Sequence, residues 1–114
     1  MSNLRMIDPL GYIEFTRLVR DARLVLTDSG GIQEETCLHG APCVVLRENT
    51  ERPVTLGSGY HALVGADTER IVAQAEEYLA APPPKPFEIE LWDGRTAERI
   101  AAVLTEQADS LRAT

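Results

Sequence analysis

The string Leu26-Thr27-Asp28-Ser29-Gly30-Gly31 joins an apolar, β-rich run to a helical pattern, and its residue types suit an anion. Two glycines let a bulky phosphate reach the main chain, because no Cβ stands in the way. The N–H groups of the helical turn that follows have no intrahelical acceptor, and the helix dipole adds a favourable term for negative charge. Ser29 can contribute a hydroxyl donor. The same Gly-Gly pair could also serve only to relieve backbone strain at a strand-to-helix turn, and spacing alone leaves both readings open.

Glu34 and Glu35 follow in the first helical turn or just past it. Carboxylates there complement the positive end of the dipole, by about 0.3–1 kcal/mol. Beside a bound phosphate they weaken affinity unless they serve another part of the ligand, and a ribose diol, with two hydroxyls to donate, is the natural one. The next loop, Arg47-Glu48-Asn49-Thr50-Glu51-Arg52-Pro53, carries a guanidinium at Arg52 that could fork onto a diphosphate or pair with an acidic neighbour. Cys37 and Cys43 lack metal-ligand spacing and read as buried thiols in a reducing compartment. His39 sits near a helix end and reads as a capping or surface residue, and His61 has no partner implied by the sequence.

These side chains need a scaffold. Four apolar, β-rich runs, Leu4–Ile7, Leu24–Thr27, Cys43–Leu46 and Ala62–Gly65, alternate with helical patterns. Tyr12, Phe15, Leu18, Val19 and Ala22 recur at helical spacing. Ile32–Leu38 is closed by Gly40 as a C′ residue. Ile71, Ala75, Tyr78 and Leu79 share one face of a helix capped by Asp67, and Ile100, Val103, Leu104 and Leu111 share a face of a last helix capped by Thr96. Strands apolar on both faces, alternating with helices, predict an α/β fold: a Rossmann-like parallel sheet with flanking helices. The organisation expected is a partial Rossmann-like unit over residues 1–81, a Pro-rich linker over 82–92, and a C-terminal helical segment, 93–114, packing back on the domain. Ligands of such sheets bind beyond the carboxyl ends of the strands, where both loops above lie.

Length and composition agree with one small domain: 114 residues, 44% hydrophobic and 25% charged. A formal charge of −7 argues against nucleic acid and anionic membrane surfaces as partners. No apolar run approaches the roughly 18 residues that span a bilayer, and Met1–Arg5 carries no signal-peptide core, so the expected location is cytoplasmic.

The string Leu26–Glu35, then Pro42, Leu46-Arg47, Thr50-Glu51-Arg52-Pro53, Leu63-Val64-Gly65 with Asp67, and Asp93-Gly94 with Ala97, Arg99 and Ile100, resembles the non-hydrolysing UDP-N-acetylglucosamine 2-epimerases. The likeness reaches back to Pro9-Leu10, Tyr12 and Phe15. It implies a GT-B arrangement of two Rossmann-like domains, of which this chain is similar to the later part of the second. The family interconverts UDP-N-acetylglucosamine and UDP-N-acetylmannosamine by elimination of UDP and its re-addition with inversion at C2. By the resemblance, Ser29, Gly30 and Gly31 would hold the diphosphate, Glu35 the ribose hydroxyls, Arg52 the phosphates, and Phe15 would lie against the uracil. The family's acid/base carboxylates have no counterpart here, so no catalytic residue is assigned, and no metal or cofactor is implied. The expected ligand is UDP or a UDP-sugar. The expected macromolecular partner is a second copy of the chain or a separate chain carrying the N-terminal domain. Rival readings are a non-catalytic nucleotide-sugar-binding module, a split-enzyme partner, and a donor-binding piece of a GT-B glycosyltransferase.

Overall fold

The computed structural model describes residues 2–82, 86 and 88–113. Helix α1 (Tyr12–Asp21) leads into β1 (Val25–Thr27), α2 (Gly30–His39), β2 (Cys43–Val45), a 3₁₀ helix (Pro53–Ser58), β3 (His61–Leu63), α3 (Thr68–Ala80) and α4 (Thr96–Arg112). The strands form one parallel sheet in the order β1-β2-β3, with Val25, Cys43 and His61 in register, then Leu26, Val44 and Ala62, then Thr27, Val45 and Leu63.

Alternation along β2 divides its neighbours between two layers. Val44 joins Val64 and Tyr78 of α3 in the core, with Leu24, Leu46, Ala62 and Ile71 against them. Cys43 and Val45 point the other way, toward α2, and all three β2 residues are buried. This central strand, covered on both faces, is the expected α/β arrangement. Gly40 ends α2 in the left-handed region (φ 70°), and the Ala41 N–H donates to the Thr36 carbonyl at 3.0 Å, closing the helix C-terminus. Asp67 caps α3 by accepting from the Arg70 N–H at 2.9 Å.

Three expectations are corrected. Leu4–Ile7 forms no strand: the segment is unpaired, and Leu4, Met6 and Ile7 are 62–93% exposed. β-propensity describes fitness for a pleated surface, and no neighbouring strand among the described residues pairs with this segment's N–H and C=O groups. It does not close onto β1, whose outer edge carries no strand among the described residues. The C-terminal helix does not pack back on the domain, since α4 has no buried residue. Its 17 residues make a rod of about 26 Å at 1.5 Å per residue. The radius of gyration is accordingly 18.4 Å, against about 13 Å for a compact chain of this length. Thr96 is the first helical residue rather than the cap, and Arg95 occupies the cap position without a side-chain capping bond, its guanidinium pairing with Glu98 instead. The linker expected over residues 82–92 falls partly on 83–85 and 87, which lie outside the described residues.

Candidate functional site

At the carboxyl end of β1 the chain turns directly into α2. Thr27 Oγ1 accepts from the Ser29 N–H at 3.1 Å, setting the turn. Ser29 is the helix cap: its carbonyl accepts from the Gln33 N–H at 3.1 Å and its Oγ from the Ile32 N–H at 3.5 Å. The N–H groups of Gly30 and Gly31 have no acceptor among the described residues, and the Ser29 hydroxyl proton remains free to donate. Three donors therefore converge at the positive end of a ten-residue helix.

Arg52 comes to this end from the loop after β2. A Cβ added to Gly30 would meet Arg52 Cγ at 3.7 Å and Glu51 Oε2 at 3.6 Å, so the arginine stem runs over the first turn of α2. Its guanidinium pairs with the Glu34 carboxylate. Both alternatives open for Arg52 thus meet at one place, an ion pair on the rim of a donor cluster. Arg47 forks onto Glu51 at 3.0 and 3.2 Å and stiffens the same loop. Glu35, half-buried on α2, makes no hydrogen bond or ion pair among the described residues. The two adjacent carboxylates differ in this: Glu34 is engaged and Glu35 is available. Phe15 of α1 and Ile32 line a common apolar groove of about 320 Å³ with Leu18, Val25 and Thr27. The structure thus brings Ser29, Gly30, Gly31 and Arg52 together, with Glu35 farther along α2 and Phe15 in the groove beside β1.

Sequence reasoning missed the polar network beneath the site. Gln33 is 1% exposed, and its Nε2 donates to Thr55 Oγ1 and, at 3.5 Å, to the Arg52 carbonyl. Its Oε1 accepts from Thr50 Oγ1 at 2.8 Å. One turn on, Thr36 donates to the Gln33 carbonyl at 2.9 Å and lies 2.8 Å from His61 Nε2. Because the single Thr36 proton is so engaged, His61 donates from Nε2 and its Nδ1 accepts from Ser58 Oγ at 2.8 Å. Burial lowers the His61 pKa to about 4, so the imidazole is neutral at pH 7. Cys37 and Cys43 are free buried thiols, both pushed up to about 11 by burial. A signal was present: Gln33, Thr36 and Cys37 stand at i, i+3 and i+4 on one helix face, a buried stripe whose residue types disguise it. Among the described residues no group of three or more His, Cys, Asp or Glu side chains could hold a metal ion.

The family model described as UDP-N-acetylglucosamine 2-epimerase matches residues 1–105. The chain belongs to this family. Its sequence is 41% identical over 102 residues to the UDP-N-acetylglucosamine 2-epimerase of Methanocaldococcus jannaschii, covering 90% of this chain and 27% of that one. The structure of the enzyme from the same organism in complex with UDP-GlcNAc and UDP superposes with a TM-score of 0.73 at 44% identity, covering 88% of this chain and 27% of that one. The Neisseria meningitidis epimerase bound to UDP-GlcNAc gives 0.68 at 34% identity, with 88% and 28% covered. The chain thus spans about a quarter of the length of these epimerases and is a partial GT-B fold, with the parallel sheet and flanking helices of one Rossmann-like domain. Among the described residues no helix is long and apolar enough to cross a membrane.

Proposed function

We propose that this chain is the UDP-binding portion of a UDP-N-acetylglucosamine 2-epimerase, and that it holds nucleotide without turning it over alone. The observation that carries the reading is the meeting of the free Gly30 and Gly31 N–H groups, the Ser29 hydroxyl and Arg52 at the N-terminus of α2. Those donors suit a diphosphate. Glu35, unpaired and half-buried on α2, would accept from the ribose hydroxyls, and Phe15 would lie against the uracil. Membership of the family, with a relative solved in complex with UDP-GlcNAc and UDP, supports the same assignment.

Elimination at C2 requires a positioned base and acid, each contributing about 10²–10⁴-fold, and no residue of the site takes either role. UDP titration followed by NMR should give a Kd of about 0.1 mM or weaker, because half a cleft buries little of its ligand. Arg52→Ala and Ser29→Asp should each weaken binding about tenfold or more. Unchanged binding in both variants would move the site elsewhere, and epimerisation by the pure chain would refute the inactivity.

The reading extends to partners and place. The open β1 edge, next to the apolar groove lined by Phe15 and Ile32, is a pairing surface for another strand. A second copy of the chain is the proposed occupant, giving a homo-oligomer. A monodisperse monomer by sedimentation at tens of micromolar, an order-of-magnitude choice, would contradict it. The proposed setting is the cytoplasm, in the supply of UDP-N-acetylmannosamine for envelope polysaccharides.

A further inference from the structure

Arg52 places a cation over the α2 N-terminus, yet it belongs to an exposed loop, where a free arginine loses much of its value to side-chain and backbone entropy. Its backbone, however, is held at both polar groups by side chains. The Arg52 N–H donates to Thr50 Oγ1 at 2.9 Å. The Arg52 carbonyl accepts from Thr55 Oγ1 at 2.7 Å and from Gln33 Nε2 at 3.5 Å. Thr50 and Thr55 are in turn bound to the two ends of one amide, Oε1 and Nε2 of Gln33. Gln33 and Thr55 are fully buried, and no buried side-chain nitrogen or oxygen among the described residues lacks a partner. The three side chains form a closed bracket joining α2 to the loop and gripping the chain at Arg52 alone.

We propose that Gln33, Thr50 and Thr55 are positioning residues for phosphate binding: they fix the Arg52 backbone over the α2 N-terminus, so that the guanidinium is presented to a diphosphate at little entropic loss. The proposal rests on the reading of Arg52 as a phosphate ligand. Gln33 is suited to the task because only a side-chain amide offers an acceptor to Thr50 and a donor to Thr55 and the Arg52 carbonyl from one planar group. A glutamate would keep the first bond and lose the others; a methionine would lose all of them.

The test is a double-mutant cycle read by NMR titration with UDP. Thr50→Val is the main variant, since it keeps shape and lies on a half-buried loop position. It should weaken UDP binding about tenfold, the equivalent of one lost charge-linked hydrogen-bond arrangement, and Thr50→Ser should restore it. In the Arg52→Ala background Thr50→Val should change the affinity less than about twofold, because it acts only through Arg52. Gln33→Glu should behave as Thr50→Val does, with amide spectra keeping folded dispersion. Equal losses in the presence and absence of Arg52, or no loss on Thr50→Val, would overturn the bracket as a positioning device. Arg52→Ala binding UDP as tightly as the parent chain would instead overturn the phosphate role of Arg52, and the bracket's role with it.

Discussion

Helices α2 and α4 both carry an identifiable stripe, yet the stripe that looks weaker is the one that is buried. In α2 it is Gln33, Thr36 and Cys37, each fully enclosed, with every polar atom engaged by a residue 17 to 25 positions away or by the helix itself. In α4 it is Ile100, Val103 and Leu104, more than half exposed on a helix that buries nothing. What distinguishes them is the partner. β2 and β3 place His61, Cys43 and the 3₁₀ helix against α2, whereas α4 is held at its base, where Arg99 forks onto Asp93 and its Nη1 reaches the Leu91 carbonyl at 3.3 Å. Amphipathic pattern states what a helix can bury; tertiary neighbours decide whether it does.

The largest effect that would break this contrast is acidification. His61 has a folded pKa of about 4 against an ordinary 6.5, so between those values the unfolded chain binds the extra proton. Stability from this group is complete above about pH 6.5 and falls as pH drops toward 4, by about 2–3 kcal/mol in all. Urea unfolding at pH 7 and pH 4.5 should register that loss, and His61→Gln should flatten the profile over this interval. Asp93, held down to about 2 by Arg99, titrates below the window, and Glu51, held below its usual 4.5 by its own backbone N–H and by Arg47, enters only at the acid edge. An equally steep profile in the variant would assign the acid sensitivity to other groups.

Next in size is a core truncation. Val44 is 0% exposed between Val64 and Tyr78. Val44→Ala removes two methyl groups and opens a cavity, which should destabilise the chain by about 2 kcal/mol in the same unfolding assay. A loss below about 0.5 kcal/mol would mean that the sheet is less tightly packed than its burial implies.

A smaller effect sharpens the comparison at the ligand end. Glu34 holds the Arg52 guanidinium and adds negative charge beside the donors proposed for phosphate. Glu34→Gln should tighten UDP binding about two- to threefold, a few tenths of a kcal/mol, in keeping with a partly exposed ion pair. Weaker binding would show that Glu34 orients Arg52 rather than competing for it.

The strand-to-helix junction was legible because its signal is local: Thr27 to Gly31, Gly40 at the helix end and Asp67 at the next cap all act within a few residues of themselves. So were the three paired strands, each within two residues of its expected span. His61 was opaque because its partners Thr36, Cys37 and Ser58 come from two other elements. Gln33 was opaque for the same reason, its partners Thr50 and Thr55 lying in the loop after β2 and in the 3₁₀ helix that follows it. Leu4–Ile7 and α4 show the converse fault, patterns read correctly as apolar and wrongly as paired. The candidate ligand residues fall between these cases, since Ser29, Gly30 and Gly31 are set by the turn, whereas Arg52 depends on the bracket beneath it.

The smallest expected effect bears on the other half of the comparison. Leu104 is 63% exposed in the middle of α4, with helical residues on both sides. Truncating a buried leucine would cost about 2–5 kcal/mol, but here little area leaves contact with protein. Alanine is a slightly better helix former than leucine, by a few tenths of a kcal/mol. The two terms nearly cancel, so Leu104→Ala should shift unfolding by less than about 0.5 kcal/mol in either direction. Helix content by circular dichroism should stay the same. The measurement belongs at several protein concentrations, because a contact between copies would make the loss grow with concentration. A concentration-independent loss above about 1 kcal/mol would place Leu104 in an intramolecular core and erase the difference between α2 and α4.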